Sequence, residues 1–578
     1  MTEQPALTAD ANPQIGIVMF QKNCVRKSVA SILFILFVLF SSSLYAQTNT
    51  SLDNNDIPHL AKQGSTTQLI VHDKPYLMLA GETGNSSASD LKYMNGVWPK
   101  IVKMHLNTLL VPVYWELIEP KEGAYDFTLV DSVITSARQN NIKLVFLWFG
   151  TWKNSMSCYV PLWVKTDEKR FPRARKKDGR AEEILTAFNK TNGDTDARAF
   201  SMLMKHIRKF DINDQTVVMV QVENEIGMIP YARDYSPSAN KAFRSDVPQE
   251  LINYLGDNKE KLNRYLYDKW KENGFKTRGN WEEVFGKGLD TDEIFMAWNY
   301  AKYADYVAEA GKKEYPLPMY VNAALIRPGY KPGQYPSGGP LPHLMDIWKA
   351  AAPDIDFLAP DIYFKNFAEW VANYDIPVGK HGQIYNQFFI PEVGNDQSVV
   401  DAFYAMAQHN IMGYSPFSIE SLADPSDNQI SRGYDVLSQL TPLILANQGK
   451  GTMRGVVLDS ASQVAKLKLG SYVFNIHHEY SWPYAPKTED KNPRYGGMII
   501  MVSPNEFYVA GRGMVITFES DAKDDSIAGI GSIDEGKFID GKWIPGRRLN
   551  GDQSHQGRHL DLPGSTFSIQ KVRLYKYK

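Results

Sequence analysis

The sequence predicts an α/β fold, a (β/α)8 barrel followed by a smaller β-sandwich-like domain at the C-terminus. Up to about residue 447, short runs rich in β-branched and aromatic residues alternate with longer segments of helical period. Eight such runs occur, which is the number of strands that closes a barrel of this kind. After Gln448 to Gly451 the pattern changes to short strands separated by Gly, Pro and Asp, which is typical of antiparallel sheets.

The first 46 residues carry the pattern of a secretory signal. Lys22, Arg26 and Lys27 precede an apolar run from Ile32 to Phe40, and a Ser-rich stretch ending in Ala46 follows it. The apolar run is too short to span a bilayer, so we expect residues 1–46 to be a start-site extension and a signal peptide that is cleaved after Ala46. This predicts an exported protein, periplasmic or secreted, with no stable membrane span after cleavage; a membrane anchor is the alternative.

Composition excludes several classes of partner. The net charge is −2, with 63 Lys and Arg against 65 Asp and Glu, so no overall field favours nucleic acid. Signal cleavage would remove Cys24 and leave Cys158 alone, which excludes an intramolecular disulfide. No zinc-protease helix motif and no nucleotide-binding glycine fingerprint appears, so we expect no metal and no cofactor. The sequence does not indicate an oligomeric state.

Eight predicted strands occupy residues 65–447 and define the TIM barrel. Between them lie helical patterns such as Phe200, Leu203, Met204 and Ile207, which recur at the spacing of one helix face. In chain order the predicted strands are Tyr76–Ala80, Thr108–Val113, Lys143–Phe149, Thr216–Val222, Met319–Asn322, Phe357–Pro360, Gln387–Pro391 and Ile411–Phe417.

Two further regions lie outside this alternation. Residues 231–290, after the fourth strand, form a charged insertion that we expect to be helical, either as a wall of the site or as a surface elaboration. Residues 452–578 form the C-terminal β-rich domain. Its predicted strands include Val464–Leu469, Tyr472–Ile476, Met498–Val502 and Met514–Phe518.

Carboxylates end two of the buried strands. The fourth strand runs into Asn224 and Glu225, and the seventh runs into Glu392 directly after Pro391. Burying polar groups is costly without partners, whereas the C-terminal ends of barrel strands are where catalytic groups stand. Strands three units apart face each other across the barrel mouth. Glycoside cleavage needs such a pair, because one acid protonates the leaving oxygen while the other carboxylate attacks the anomeric carbon.

At these residues the sequence resembles a known family. The stretch QVENEIG, residues 221–227, resembles the fourth-strand signature of family 35 glycoside hydrolases, chiefly β-galactosidases. VYWELIEPKEGAYDF, residues 113–127, and YVPLWV, residues 159–164, resemble that family's segments after the second and third strands. The resemblance covers the barrel, from about residue 65 to residue 447.

The resemblance implies roles for four residues. Glu225 corresponds to the general acid/base, and Asn224 to the amide that binds the sugar 2-hydroxyl. Glu392 takes the place of the nucleophile at the end of the seventh strand. Tyr363, in APDIYF, resembles the tyrosine that hydrogen-bonds the nucleophile, with a core tyrosine as the alternative. Glu223 is interpreted as structural, because strand alternation turns it with Glu225 only in a regular strand.

Two segments depart from the family and leave the sugar open. AGETGNSSAS, residues 80–89, and FGTW, residues 149–152, stand where most members carry residues that grip the galactose hydroxyls. Glu82, Asn85 and Trp152 are candidate replacements. Trp115 and Trp152 also suit stacking on a sugar, although aromatic residues in such loops pack as often as they bind.

The predicted function is that of a retaining, exo-acting β-galactosidase that acts on plant cell-wall oligosaccharides or polysaccharides. Xyloglucan side chains are implied as the substrate by similarity to a bacterial branch of the family that carries an appended C-terminal β-domain. Another exo-β-glycosidase, such as a β-glucosidase or a β-arabinopyranosidase, is the alternative within enzymes. A catalytically weak carbohydrate-binding protein is the alternative outside them.

Overall fold

The structure, a computed structural model, describes residues 57–376, 386–394, 399–459, 461–478, 494–523 and 525–578. Every described residue belongs to one compact unit. The predicted signal segment, residues 1–46, therefore lies outside the described residues.

Eight parallel strands close into a barrel, which confirms the predicted fold class. All eight predicted strands are present, with ends that differ by a few residues from the predicted ones. The barrel strands, named first to eighth in chain order, are Met78–Glu82, Thr108–Tyr114, Lys143–Lys153, Val217–Asn224, Met319–Ala324, Phe357–Ile362, Ile390–Val393 and Gly413–Pro416.

Burial explains why the barrel strands could be predicted from apolar runs in the sequence. Every residue of the second, fourth and sixth strands is buried, because side chains face the packed interior on one side and helices on the other. The third strand is four residues longer than predicted. It continues past Phe149 until Lys153 pairs with Asn224 of the fourth strand, after a register shift. The third and fourth strands therefore end side by side at the barrel mouth.

Helices cover the outside of the barrel. The longest two, Lys190–Asp211 and Leu289–Glu314, pack closely where a side chain at Gly311 would overlap the ring of Phe200. The predicted helix face of Phe200, Leu203, Met204 and Ile207 is fully buried. The other barrel helices are Leu91–Lys103, Trp115–Ile118, Thr128–Gln139, Leu162–Lys165, Met345–Ala351, Phe367–Tyr374, Val400–Gln408 and Gln429–Asn447.

The insertion after the fourth strand is helical, as predicted. Asn280 caps its last short helix reciprocally with Glu283, which satisfies two backbone N–H groups at that end. The helices of the insertion are Pro237–Arg244, Gln249–Asp257, Arg264–Glu272 and Trp281–Phe285.

A small antiparallel sheet precedes the barrel and lies against the starts of the strands. Tyr76 donates its hydroxyl hydrogen to the carbonyl of Asn107, just before the second strand, and the backbone N–H of His72 donates to Gln215 before the fourth. The sheet therefore covers the end of the barrel opposite the mouth. Its strands are His59–Gln63, Thr66–Val71 and Lys74–Tyr76.

Two antiparallel sheets follow the last barrel helix, which ends at Asn447. A separate hydrophobic core that includes Leu458, Phe474 and Phe507 lies between them. In sheet order, the six-stranded sheet contains Met453–Leu458, Tyr495–Ser503, Glu506–Arg512, Ser568–Tyr577, Ile527–Ile539 and Lys542–Leu549, and the four-stranded sheet contains Val464–Leu469, Tyr472–His478, Met514–Ser520 and Leu560–Leu562.

The six-stranded sheet is packed directly onto the barrel. Met453, Met498 and Ile500 belong to the same hydrophobic core as the barrel residues. At Gly455 a side chain would overlap the backbone carbonyl of Tyr404 in the helix Val400–Gln408, so the sheet and this helix approach to backbone contact. The C-terminal domain thus has a packing role towards the barrel. Within the described residues, no helix has the length and apolar character needed to cross a bilayer.

Gly455→Ala is expected to destabilise the protein by about 1–3 kcal/mol, because the added methyl group must push the sheet away from the helix. Thermal and urea unfolding measure this loss. The matched control is Gly96→Ala in an exposed helix position, where nothing lies within 4 Å of the new methyl group. Similar stability for the two variants would contradict close packing at Gly455.

Candidate functional site

Glu225 and Glu392 both lie at the barrel mouth. Glu225 directly follows the fourth strand, and Glu392 lies in the seventh. Each residue is only 6% exposed. Their carboxyl groups are close enough that the negative charge of Glu392 helps to raise the pKa of Glu225. The structure therefore brings together the two carboxyl groups that the sequence predicted to face each other.

The backbone of Glu225 is in the left-handed region, with φ of 47°, which is uncommon for a residue other than glycine. Its N–H donates to Asn322 Oδ1 at 2.9 Å, and its carbonyl accepts a hydrogen bond from Ser155 Oγ at 2.8 Å. Its carboxyl group accepts a hydrogen bond from Asn154 Nδ2. Neighbouring strands thus hold the main chain and the side chain of Glu225 together.

Burial, and then the charge of Glu392, raise the pKa of Glu225 to about 7. The positive charge of Lys153 and hydrogen bonding with Asp361 and Asn154 oppose this rise. A carboxyl group with a pKa near neutrality can hold a proton in the resting site and still release it. These are the properties that a general acid requires.

Glu392 has a different set of partners. Burial raises its pKa, while the positive charge of Lys153 and a hydrogen bond from Tyr363 oppose the rise. The Tyr363 hydroxyl donates this bond to Glu392 Oε1. The hydrogen bond that the resemblance implied is therefore present. Because Tyr363 is 44% exposed, the alternative of a core tyrosine is wrong.

Three residues at the mouth were missed by the sequence analysis. Asn322 lies in the fifth strand, Asp361 in the sixth, and the buried Lys153 ends the third. Asp361 pairs in register with Glu392, and it accepts a hydrogen bond from Asn322 Nδ2 at 2.7 Å. Burial and the charges of Glu392 and Glu225 raise the pKa of Asp361 well above its usual value. The signal that could have found them was a polar residue near the end of a buried strand.

Glu82 lies at the end of the first strand and is almost fully buried. Burial, and then the charge of Glu392, raise the pKa of Glu82 well above its usual value, which places Glu82 beside the pair. Glu82 Oε1, Asn85 Oδ1 and both polar side-chain atoms of Asn224 are buried without a hydrogen-bond partner among the described residues. Buried polar atoms require partners, so these atoms are suited to bind hydroxyl groups of a ligand.

The two tryptophans predicted to contact substrate do not present a ring face to the mouth. Trp115 is completely buried, packs against Trp148 and donates its indole N–H to Glu119. Trp152 is also completely buried, edge-on to Tyr303 at 4.6 Å between ring centroids. Both residues pack within the barrel. Trp152 Nε1 is buried without a hydrogen-bond partner among the described residues, so a contact of Trp152 with a ligand stays a prediction.

Glu223 lies in a separate buried network. Its Oε2 accepts the backbone N–H of Trp152 at 2.7 Å, and burial together with the charge of Asp196 raises its pKa well above the usual value. A side chain at Gly150 would meet Trp148, Glu223 and Asp196 together, so the two carboxyl groups are tightly enclosed. This network ties the end of the fourth strand to the extended end of the third, as expected for a structural residue.

A cavity of about 360 Å³ opens beside Glu225. Its walls come from loops after the third, fifth and sixth strands and include Met156, Arg327, Tyr363 and Phe364. No residue of the insertion 231–290 is among the described residues that line this cavity. The cavity has the size of a small-ligand site.

Comparison with protein families matches residues 98–284 to the Glyco_hydro_42 model, described as β-galactosidase. The matched stretch contains the fourth-strand motif with Glu225. This stretch of the barrel is similar to a glycoside hydrolase domain. Residues 430–561 match a domain of unknown function, DUF5597. Family 35, which the motif resemblance indicated, is not the family whose model matches, so only the glycoside hydrolase part of that interpretation is supported.

Similar solved structures include two bacterial β-galactosidases. That of Rahnella sp. R3 is 14% identical, and that of Bacillus circulans sp. alkalophilus is 15% identical. In each case the alignment covers 64% of this chain and 57% of the other chain, with a TM-score of 0.43. A β-mannanase from the blue mussel Mytilus edulis is 14% identical over 65% of this chain and 95% of its own, with a TM-score of 0.37. These matches are too distant to indicate an activity. Comparison with curated proteins gave no match.

Glu225→Gln is expected to gain stability relative to the wild-type glycoside hydrolase as the pH rises from about 5 to about 8. The folded-state pKa of about 7 lies above the usual 4.5, so the stability from protonated Glu225 is complete below about 4.5 and is lost as pH rises through about 7. Glutamine cannot ionise, so the variant does not lose this stability as the pH rises.

Urea unfolding at the two pH values measures the effect. The matched control is Glu122→Gln, because Glu122 is exposed and its hydrogen bond from Arg170 lowers its pKa. Its stability difference should stay constant over this range. A constant difference for Glu225→Gln as well would mean that Glu225 titrates at its ordinary pKa.

Proposed function

We propose that the protein is a retaining, exo-acting β-galactosidase. The observation that carries the proposal is the pair of buried carboxyl groups, Glu225 and Glu392, which face each other across the barrel mouth with different hydrogen-bond partners. A retaining glycosidase requires two such groups about 5–5.5 Å apart. The family match over residues 98–284 supports the galactoside, because the matching model describes a β-galactosidase.

In the first step Glu225 protonates the leaving oxygen while Glu392 attacks the anomeric carbon. Glu225 can carry the proton because burial and the charge of Glu392 raise its pKa to about 7. Tyr363 and Lys153 oppose the rise in the pKa of Glu392 and so favour its charged, nucleophilic form. At the start of a turnover Glu225 is therefore protonated and Glu392 is charged.

In the second step the roles change. Once Glu392 is esterified by the sugar, its charge is gone and no longer raises the pKa of Glu225. Glu225, which gave its proton to the leaving group in the first step, therefore stays ionised and removes a proton from the water molecule that attacks the glycosyl ester. This proton restores Glu225 to its acid form, and cleavage of the ester restores the charge of Glu392.

Glu82, Asn85 and Asn224 supply polar atoms for the sugar. Their unpartnered atoms lie at the ends of the first and fourth strands, next to the carboxyl pair. Asn224 is suited to the 2-hydroxyl by its place directly before Glu225. We assign the galactosyl group to this pocket and the rest of the substrate to the cavity beside Glu225.

For the natural substrate we propose β-galactosyl groups of plant cell-wall oligosaccharides, with xyloglucan side chains as the specific case. Support comes from the motif resemblance to family 35 enzymes, whose bacterial branch combines these motifs with a C-terminal β-domain. The signal pattern of residues 1–46 supports export to the periplasm or the exterior. The altered segments after the first and third strands keep a different exo-β-glycosidase as the second candidate.

Initial rates on a panel of aryl β-glycosides test the proposed activity. The galactoside should be the best substrate of the purified protein, because the family match points to galactose. Preference for a glucoside or an arabinopyranoside would retain the mechanism and change the sugar. No hydrolysis of any glycoside would favour a carbohydrate-binding protein.

Glu225→Ala should lose far more activity on alkyl or sugar galactosides than on a dinitrophenyl galactoside. The reason is that a good leaving group departs without protonation, and a general acid typically contributes roughly 10²–10⁴-fold to rate. Steady-state kinetics on both substrates measure the difference. Glu122→Ala removes an exposed carboxylate and should leave both rates unchanged. Equal losses on the two substrates would refute the role of Glu225 as the acid.

A 2-fluoro galactoside with an activated leaving group should label Glu392 covalently, because the fluorine slows hydrolysis of the glycosyl ester. Peptide mass spectrometry locates the label. Glu392→Gln should stay unlabelled while folding normally. A label on Glu82 or Asp361 would transfer the role of nucleophile to that residue.

A further inference from the structure

Two hydrogen bonds and one strand pairing connect the two catalytic candidates through the strands that separate them. Asn322 Oδ1 of the fifth strand accepts the backbone N–H of Glu225 at 2.9 Å. Asn322 Nδ2 donates to Asp361 Oδ2 of the sixth strand at 2.7 Å. Asp361 is in register with Glu392 of the seventh strand. We call Asn322 and Asp361 the brace.

The backbone of Glu225 needs such a contact. Its left-handed conformation is strained for a residue with a side chain, and it persists only where the surroundings fix it. The N–H of Glu225 is buried, and an unpaired buried donor would be costly. Asn322 removes that cost by accepting the N–H of Glu225 in this left-handed conformation.

Asp361 fixes the orientation of Asn322 in turn. The amide of Asn322 must present its oxygen to Glu225 and its nitrogen to Asp361, and these two bonds together exclude the flipped amide. Both residues are 1% exposed, so water does not compete for these bonds. The two side chains of the brace therefore adopt a single arrangement. Through it, the position of Glu225 depends on the position of the sixth strand.

We propose that Asn322 and Asp361 are positioning residues that set the placement of the Glu225 carboxyl group relative to Glu392. This inference rests on the proposed function, since it concerns the acid of that reaction. Asn322 bonds the main chain of Glu225, whereas Asp361 also hydrogen-bonds with its carboxyl group, so Asn322→Ala is the cleaner test of positioning. The brace acts on the acid, so its loss should affect proton delivery more than sugar binding.

Asn322→Ala and Asp361→Ala should each lower kcat on an alkyl galactoside by roughly 10²-fold, the effect expected from a misplacement of about 1 Å. The loss on a dinitrophenyl galactoside should be much smaller, and KM should change little. Asp361→Asn should recover most of what Asp361→Ala loses, because the amide oxygen can still accept the bond from Asn322.

A matched control separates positioning from stability. Asn386 is equally buried, but its side chain bonds the backbone of Leu358 and Tyr374, at the start of the sixth strand and away from the mouth. Asn386→Ala should lower the melting temperature while any loss of rate is the same on both leaving groups. An equal loss on both for Asn322→Ala, or a raised KM with kcat kept, would overturn the positioning role.

A crystal structure of Asn322→Ala provides a readout independent of activity. The backbone φ of Glu225 should leave the left-handed region and the carboxyl group should move away from Glu392. If the wild type hydrolyses no glycoside, the proposed function is wrong. The structure of Asn322→Ala still shows whether the brace holds the backbone of Glu225. An unchanged Glu225 in the variant structure would show that the brace does not hold it.

Discussion

The site depends on the burial of four carboxyl groups in one barrel mouth. Glu82, Glu225, Asp361 and Glu392 come from four strands, and Lys153 is the cation whose charge opposes the rise in their pKa values. Buried like charges cannot all be ionised, so protons must be shared unevenly among them. The partners of each group decide which carboxyl holds a proton, and this unequal distribution is what acid and nucleophile require.

Backbone irregularity at the end of the fourth strand follows from the same constraint. A regular strand would alternate Glu223, Asn224 and Glu225 between the two faces, but Glu223 and Glu225 both have a positive φ. The irregular ending lets Glu223 enter the network with Asp196 while Glu225 meets Asn154 and Asn322. Strain in the main chain thus separates a structural carboxyl group from the proposed acid only two residues away.

The sequence was sufficient for the barrel strands and for the carboxyl pair, and insufficient for the contacts between strands. Strands buried on both faces leave apolar runs, and a carboxylate at the end of such a run is conspicuous, as with Glu225 and Glu392. Asn322 and Asp361 also lie near the ends of buried strands, but their contacts could not be predicted, because their partners lie on neighbouring strands, far away in sequence. Trp115 was misread because Glu119 and Trp148, which enclose it, become its neighbours only on folding.

The proposed chemistry and the proposed sugar rest on different parts of the barrel. The carboxyl pair belongs to strand ends, where hydrogen bonds from neighbouring strands fix each group, and a fold of this kind keeps such positions while its loops vary. Two of the proposed sugar contacts, Glu82 and Asn85, come from the segment 80–89 at the end of the first strand, and that segment departs from family 35. A match to one β-galactosidase family and motifs of another are compatible for this reason: both follow the strand ends, whereas the loops decide which glycoside enters.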